Sequence, residues 1–296
     1  MTQVWKCSGL RWSDDGPVLV WSGGRRSPLV RGKRVAFGVA EGGVDGGAKR
    51  ECVGARGHGC PTRAPVSGRS TGARCEECAR LDRAHSVAAD TLADDTRPYH
   101  VYLAWFGPGM VKVGITAVER GSARLLEQGA VCFSWLGLGP LMAARRAEEL
   151  LRAALQVPDR VPYAEKRLVR SRLPASAAER AAEVEALHRR AFALAAWPES
   201  LRREPCQVVD QVEVFGLTDL PTAVGEVTEL VAGGGVGGDL LAAAGPDLHV
   251  ATVHGVVVLD TRLMTGWDIV PVAGEGGFTL PVKKFKGAAG VQDGLF

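Results

Sequence analysis

Residues 99–130 read YHVYLAWFGPGMVKVGITAVERGSARLLEQGA. Two short apolar segments flank Gly107-Pro108-Gly109, and an arginine-bearing segment follows. Period-2 alternation in Tyr99–Phe106 puts His100, Tyr102 and Ala104 on one face, with Val101, Leu103 and Trp105 opposite. In Met110–Thr116 it puts Lys112, Gly114 and Thr116 on one face, with Val111, Val113 and Ile115 opposite. The Gly-Pro-Gly sequence suits a hairpin turn. Pairing the strands gathers His100, Tyr102, Lys112 and Thr116 beside the bare backbone of Gly114. A helix over 118–128 would stack Arg120, Arg124 and Gln128 at i, i+4, i+8. A phenol, an ammonium and two guanidiniums around a glycine suit a phosphate. The alternative is an ordinary solvated hairpin face beside an exposed helix face.

Four cysteines cluster within thirty residues ahead of these strands: Cys52, Cys60, Cys75 and Cys78. The pair Cys75-Glu-Glu-Cys78 lets two thiolates face one metal. In a glycine-rich stretch with little apolar content, the four imply a tetrahedral structural zinc that substitutes for a core. The Cys52–Cys60 spacing is wider than usual, so His58 is an alternative to either residue. Cys7, Cys132 and Cys206 are isolated and read as buried apolar residues.

The 296-residue chain has 46% apolar content and a net charge of +3. The first is ordinary for a globular protein, and the second excludes a uniformly basic nucleic-acid coat. Charge is uneven, with 13 Lys/Arg against 8 Asp/Glu between Arg145 and Arg203. This excess of cations favours a polyanion partner, or is simply a solvated helical surface. The polar N-terminus and the absence of a long apolar run predict a cytoplasmic protein without a membrane partner.

Strands are expected over 18–21 and 34–39, and again over 208–215, 249–253, 256–259 and 267–270. Helices are expected over 141–155 and from Ser176, where Ser176-Ala-Ala-Glu179 reads as a capping box. Val184, Leu187, Ala191 and Leu194 give the latter helix its apolar stripe. Glu41–Ala48 reads as a glycine-rich loop and Ser86–Arg97 as a linker. Glu148 falls in the apolar stripe of the 141–155 helix. A carboxylate there needs a cation, a salt bridge to Arg124, or a place at the stripe's edge. Gly233–Gly238 with Asp260 imitates a dinucleotide fingerprint, but the span that follows is too short for a crossover helix. A glycine-rich β-turn is the better reading.

The segments HVYLA (100–104), KVGIT (112–116) and EQGA (127–130), behind a cysteine cluster, closely resemble the uncharacterised family called domain of unknown function 2797. The likeness covers most of the chain and includes VLDTRLMTGWDIV (258–270). The central part also resembles the GIY-YIG nuclease superfamily. That resemblance implies that Tyr102 is the first motif's tyrosine and that Lys112-Val113-Gly114 stands at the second motif, with Lys where Tyr is usual. It further implies that Arg124 is the helix arginine and that Glu148 binds a divalent metal, Mg²⁺ or Mn²⁺. His100 or Lys112 is left to take the place of the second tyrosine. The family's zinc pattern opens with a C-x2-C pair, which is stretched here.

The expected fold class is therefore α+β: a GIY-YIG-like small antiparallel sheet with helices, a zinc-binding insertion, and β-rich ends packed together as a barrel-like module. The expected divisions are 1–48 (β-rich), 49–85 (zinc-binding), 98–203 (GIY-YIG-like) and 204–296 (β-rich). The expected function is a nucleic-acid-associated protein acting as a metal-dependent phosphodiesterase. The alternatives are a non-catalytic zinc-stabilised module that binds nucleic acid or protein, and a GIY-YIG scaffold turned to small-molecule chemistry.

Overall fold

The computed structural model describes residues 3–13, 15–41, 49–84, 95–158, 160–272 and 277–285. Most of the glycine-rich loop and of the linker lies outside them. Strands β1 (Trp5–Ser13), β2 (Gly16–Trp21), β3 (Arg26–Pro28) and β4 (Arg34–Val39) come first, followed by helix α1 (Glu76–Ala84). The central segment runs β5 (Pro98–Trp105), β6 (Val111–Ala117), α2 (Ala123–Gln128), β7 (Cys132–Pro140) and α3 (Leu141–Leu155). It continues with α4 (Tyr163–Val169), α5 (Ala177–Phe192), β8 (Arg202–Arg203), β9 (Val209–Asp210) and α6 (Val212–Phe215). The C-terminal strands are β10 (Gly225–Val227), β11 (Gly235–Ala244), β12 (Asp247–Thr252), β13 (Gly255–Asp260), β14 (Asp268–Pro271) and β15 (Val282–Lys284).

The fold is α+β, and the chain divides into two units. One comprises 1–84 with 221–296; the other comprises 85–220. In the first, the two β-rich ends form one sheet of order β15-β10-β13-β12-β11-β4-β14-β1-β2-β3. N-terminal β4 lies between C-terminal β11 and β14, both antiparallel to it, so neither end makes the sheet alone. Among the described residues no ladder joins the β15 and β3 edges, so the sheet does not close into a barrel. The cysteine segment belongs to this unit. Arg50, 1% exposed, holds it there. Its guanidinium donates to the carbonyls of Ser67 and Ser70 in the cysteine segment, and to those of Arg262 and Thr265 beyond β13.

In the second unit the sheet order is β6-β5-β7-β8, with β9 also on β7. The hairpin forms in the expected register: His100 opposite Thr116, Tyr102 opposite Gly114, Ala104 opposite Lys112. Gly109 takes φ +72° in the turn, and its N–H donates to Glu183 of α5 at 3.0 Å. Helices α3 and α5 pack on this sheet.

Several local expectations are corrected. The 118–128 segment is not one helix. A 3₁₀ turn over Val118–Arg120 ends at Gly121, and α2 begins at Ala123. Arg120 therefore leaves the predicted stack and pairs with Glu127 at 2.6 Å. The stretch 208–215 is two residues of strand followed by α6. Ser176 is the N-cap of α5, but its hydroxyl makes no cap hydrogen bond. The buried stripe of α5 is Arg180, Val184, His188 and Ala191, so two polar residues replace the expected leucines. Both are served by partners outside the helix: Arg180 pairs with Asp210 at 2.6 Å, and His188 Nε2 lies 3.2 Å from the Trp135 carbonyl. The Gly233–Gly238 run leads into β11 and not into a helix, so no dinucleotide cradle forms.

Candidate metal centre and basic cavity

The four cysteines meet. The Sγ atoms of Cys52, Cys60, Cys75 and Cys78 all lie within 4.8 Å of one another. Tetrahedral zinc with bonds of about 2.3 Å needs sulfurs about 3.8 Å apart, so the cluster is compatible with structural zinc. Among the described residues it is the one such group of three or more His, Cys, Asp or Glu side chains.

The wide Cys52–Cys60 spacing has a local explanation. Ala55 and His58 exchange backbone hydrogen bonds of 3.0 and 2.9 Å around Arg56-Gly57. Both central residues have positive φ, +54° and +81°, as a two-residue type I′ hairpin demands. The extra residues thus form a tight β-turn that returns the chain to the metal centre. His58 sits exposed at that hairpin, outside the cysteine cluster. Backbone amides of Gly54 and Cys75 donate to Cys52 Sγ at 3.3 and 3.2 Å. The Thr62 hydroxyl and neighbouring amides hold the Cys60 thiol below its ordinary pKa, whereas burial pushes Cys78 up. Amide-to-sulfur bonds favour the thiolate that zinc requires.

The second site is built on the β5–β6 face. Tyr102 is 2% exposed, and its ring lies over Gly114. A Cβ at Gly114 would stand 2.5 Å from Tyr102 Cζ and 2.9 Å from Cε2. The bare glycine is therefore occupied by the tyrosine ring and does not receive a ligand. The phenol oxygen accepts from Gln128 Nε2 at 3.0 Å. Burial, the largest influence, raises the Tyr102 pKa; Gln128 and the Arg124 charge oppose it, and the Glu148 charge adds to it. Arg124, Gln128 and Glu148 are thus each within electrostatic reach of Tyr102. Glu148 is half-buried at the edge of the α3 stripe, whose buried members are Leu141, Ala143, Ala144, Ala147, Leu151 and Leu155.

Beside Gln128 opens a cavity of about 370 Å³, lined by Lys112, Arg124, Gln128, Arg160, Tyr163 and Lys166, among others. None of its described lining residues is a carboxylate. Arg124 keeps a long contact of 3.9 Å to Glu127. Lys166 is only 4% exposed. Its ammonium donates to the Gln128 carbonyl at 2.9 Å and lies 3.7 Å from the centre of the Phe106 ring and 4.3 Å from that of Tyr163. The carbonyl oxygen and the two π-faces each interact favourably with the buried ammonium.

His100 shares the sheet face with Tyr102 but stacks on Trp135, centroids 4.3 Å apart. Burial lowers its pKa and favours the neutral imidazole. Thr116, opposite it, is buried. Arg160 and Lys166 were not singled out in the sequence as site residues. They sit before and within α4, a seven-residue helix whose periodicity is too short to register. The basic excess of 145–203 is not one face. Arg170 and Arg180 are buried, and Arg203 stacks on Phe192 and Trp197, so part of the charge is structural.

Fold and sites together define an α+β protein with a four-cysteine centre in one unit and a basic cavity in the other. The family model described as "Protein of unknown function (DUF2797)" matches residues 64–269, well over half the chain. The chain belongs to that family. The matched span holds Cys75, Cys78 and every residue of the basic cavity, and begins after Cys52 and Cys60. Neither a curated protein nor a solved structure matches the chain. Among the described residues no helix is long and apolar enough to cross a membrane.

Proposed function

We propose that the 85–220 unit binds the phosphate backbone of a nucleic acid in the Lys112–Arg124–Arg160–Lys166 cavity. The observation that carries this is the convergence of four cations on one concavity with no carboxylate among its described lining residues. Cations gathered this way raise the local concentration of polyanions and form charge-assisted bonds to phosphate oxygens.

The GIY-YIG resemblance extends the reading to phosphodiester cleavage. Arg124 would neutralise charge developing on the phosphorus oxygens. Tyr102, protonated and held by Gln128, would orient a water or phosphate oxygen as a donor; its raised pKa makes it a poor base. Lys112 or His100 is left to move the proton. Glu148 would hold Mg²⁺ or Mn²⁺, and one carboxylate supplemented by substrate phosphates and waters is an ordinary Mg²⁺ donor set. The ion's contribution when bound is to stabilise the leaving oxygen. The burial of Tyr102 favours a second reading, a non-catalytic binding module stabilised by zinc.

The test is incubation of the full chain with single-stranded and duplex DNA and RNA, with Mg²⁺ or Mn²⁺, beside Glu148→Ala. Salt-sensitive binding with cleavage that Glu148→Ala abolishes supports the nuclease. Binding without cleavage selects the non-catalytic module. No binding at low salt refutes both.

A further inference from the structure

We infer that the basic cavity admits one unpaired nucleobase of the strand as well as its phosphate, and that the side-chain amide of Gln128 reads the edge of that base. This rests on the nucleic-acid reading above and names the part of the strand that enters the cavity.

The first observation is an unused acceptor. Gln128 is the last residue of α2 and only 7% exposed, yet it lines the cavity. Its Nε2 donates to the Tyr102 phenol at 3.0 Å, and its main-chain carbonyl accepts from Lys166 at 2.9 Å. Its Oε1 accepts no hydrogen bond among the described residues and is not sealed from solvent, so it opens on the cavity that Gln128 lines. A phosphodiester cannot use this atom. It offers only acceptor oxygens and has no hydrogen to donate, and two facing acceptors repel. A largely buried carbonyl oxygen left without a donor is costly once a ligand displaces its water. The ligand that fills the cavity therefore brings a donor of its own. Nucleobases carry N–H donors on their pairing edges, and in a duplex those are already used, so the base that enters is unpaired.

The second observation is the wall. Val161, Pro162 and Tyr163 line the cavity in succession. The Tyr163 hydroxyl donates to the Glu127 carbonyl at 3.3 Å, which fixes its ring. Apolar and aromatic side chains for the ring faces, with an amide for the edge, are how proteins hold a base outside a helix. A groove for phosphates alone needs neither. The volume of about 370 Å³ suits about one nucleotide. Tyr102 and Lys166 each hold one group of Gln128, so the amide is oriented before the ligand arrives.

The experiment measures fluorescence anisotropy of two labelled DNA single strands of equal length. One carries its bases, and the other has abasic sites throughout and keeps every phosphate. Both lack the 2′-hydroxyl, so the only donors that differ are those of the bases. The full chain is used at fixed low salt without divalent metal. The abasic strand should bind at least about tenfold more weakly, within the range that one base resting on a protein surface contributes. Gln128→Met should narrow that ratio. So should Pro162→Gly, an exposed wall position that reports even if the buried glutamine's variant fails to fold. Equal affinity for the two strands overturns this inference and leaves the nucleic-acid reading intact. A ratio that Pro162→Gly and a folded Gln128→Met both leave unchanged puts the base elsewhere and overturns it as well. No binding of either strand overturns both readings.

Discussion

Replacing Gly114 by alanine should disrupt the β5–β6 face through a single residue, Tyr102. Gly114 lies in β6 directly opposite Tyr102, with backbone dihedrals that any residue can adopt, so the penalty is purely steric. The added methyl would stand 2.5 Å from Cζ, 2.9 Å from Cε2, and closer still to the phenol oxygen. The ring has nowhere to go: it is 2% exposed, with Trp135 edge-on at 6.2 Å and Leu125, Ala130 and Phe133 in the same cluster. Overpacking of this kind costs about 1–3 kcal/mol. If the ring swings away it also loses the Gln128 bond, about 1 kcal/mol or more for a buried hydroxyl. A loss of about 2–4 kcal/mol follows, or roughly 6–20 °C in the melting of this unit. Denaturant unfolding followed by tryptophan fluorescence would read it. Because the cause is the ring, Tyr102→Leu should relieve it, and the double variant should lose less than the sum of the singles by about 1–3 kcal/mol. A Gly114→Ala protein within about 0.5 kcal/mol of the parent, or strict additivity with Tyr102→Leu, would refute the packing account.

Metal analysis of protein purified without added metal should find one zinc per chain, and a strong chelator should lower the stability of the unit formed by 1–84 and 221–296; a metal-free chain of unchanged thermal stability would contradict the four-cysteine zinc assignment. Arg50→Met should destabilise that same unit by about 3 kcal/mol or more, because it removes four charge-assisted hydrogen bonds, to the carbonyls of Ser67, Ser70, Arg262 and Thr265. An Arg50→Met chain that melts with the parent, measured by calorimetry, would show those carbonyls to be satisfied some other way.

What the sequence determined is what short-range physics determines. Period-2 alternation in 99–106 and 110–116 set the hairpin, its register and the shared face of His100, Tyr102, Lys112 and Thr116, because a strand's side-chain direction depends only on parity. Helix α3 was legible over its full length from its 3.6-residue stripe, and four thiols in a core-poor stretch announced the cysteine cluster. Where local signals were weak or ambiguous, the sequence reading failed. The break at Gly121, which separates Arg120 from Arg124, follows from one positive φ inside a helix-like pattern. The polar members of the α5 stripe, Arg180 and His188, are tolerated because Asp210 and the Trp135 carbonyl, distant in sequence, meet them. Tertiary structure alone decided two further things. One is that β4 threads between β11 and β14, strands far away along the chain, and that Arg50 fastens the cysteine segment to this sheet. The other is the cavity itself. Lys112, Arg124, Arg160 and Lys166 have no common period, and their proximity exists only once β6, α2 and α4 have packed around Gln128, whose side chain bonds Tyr102 and whose carbonyl receives Lys166.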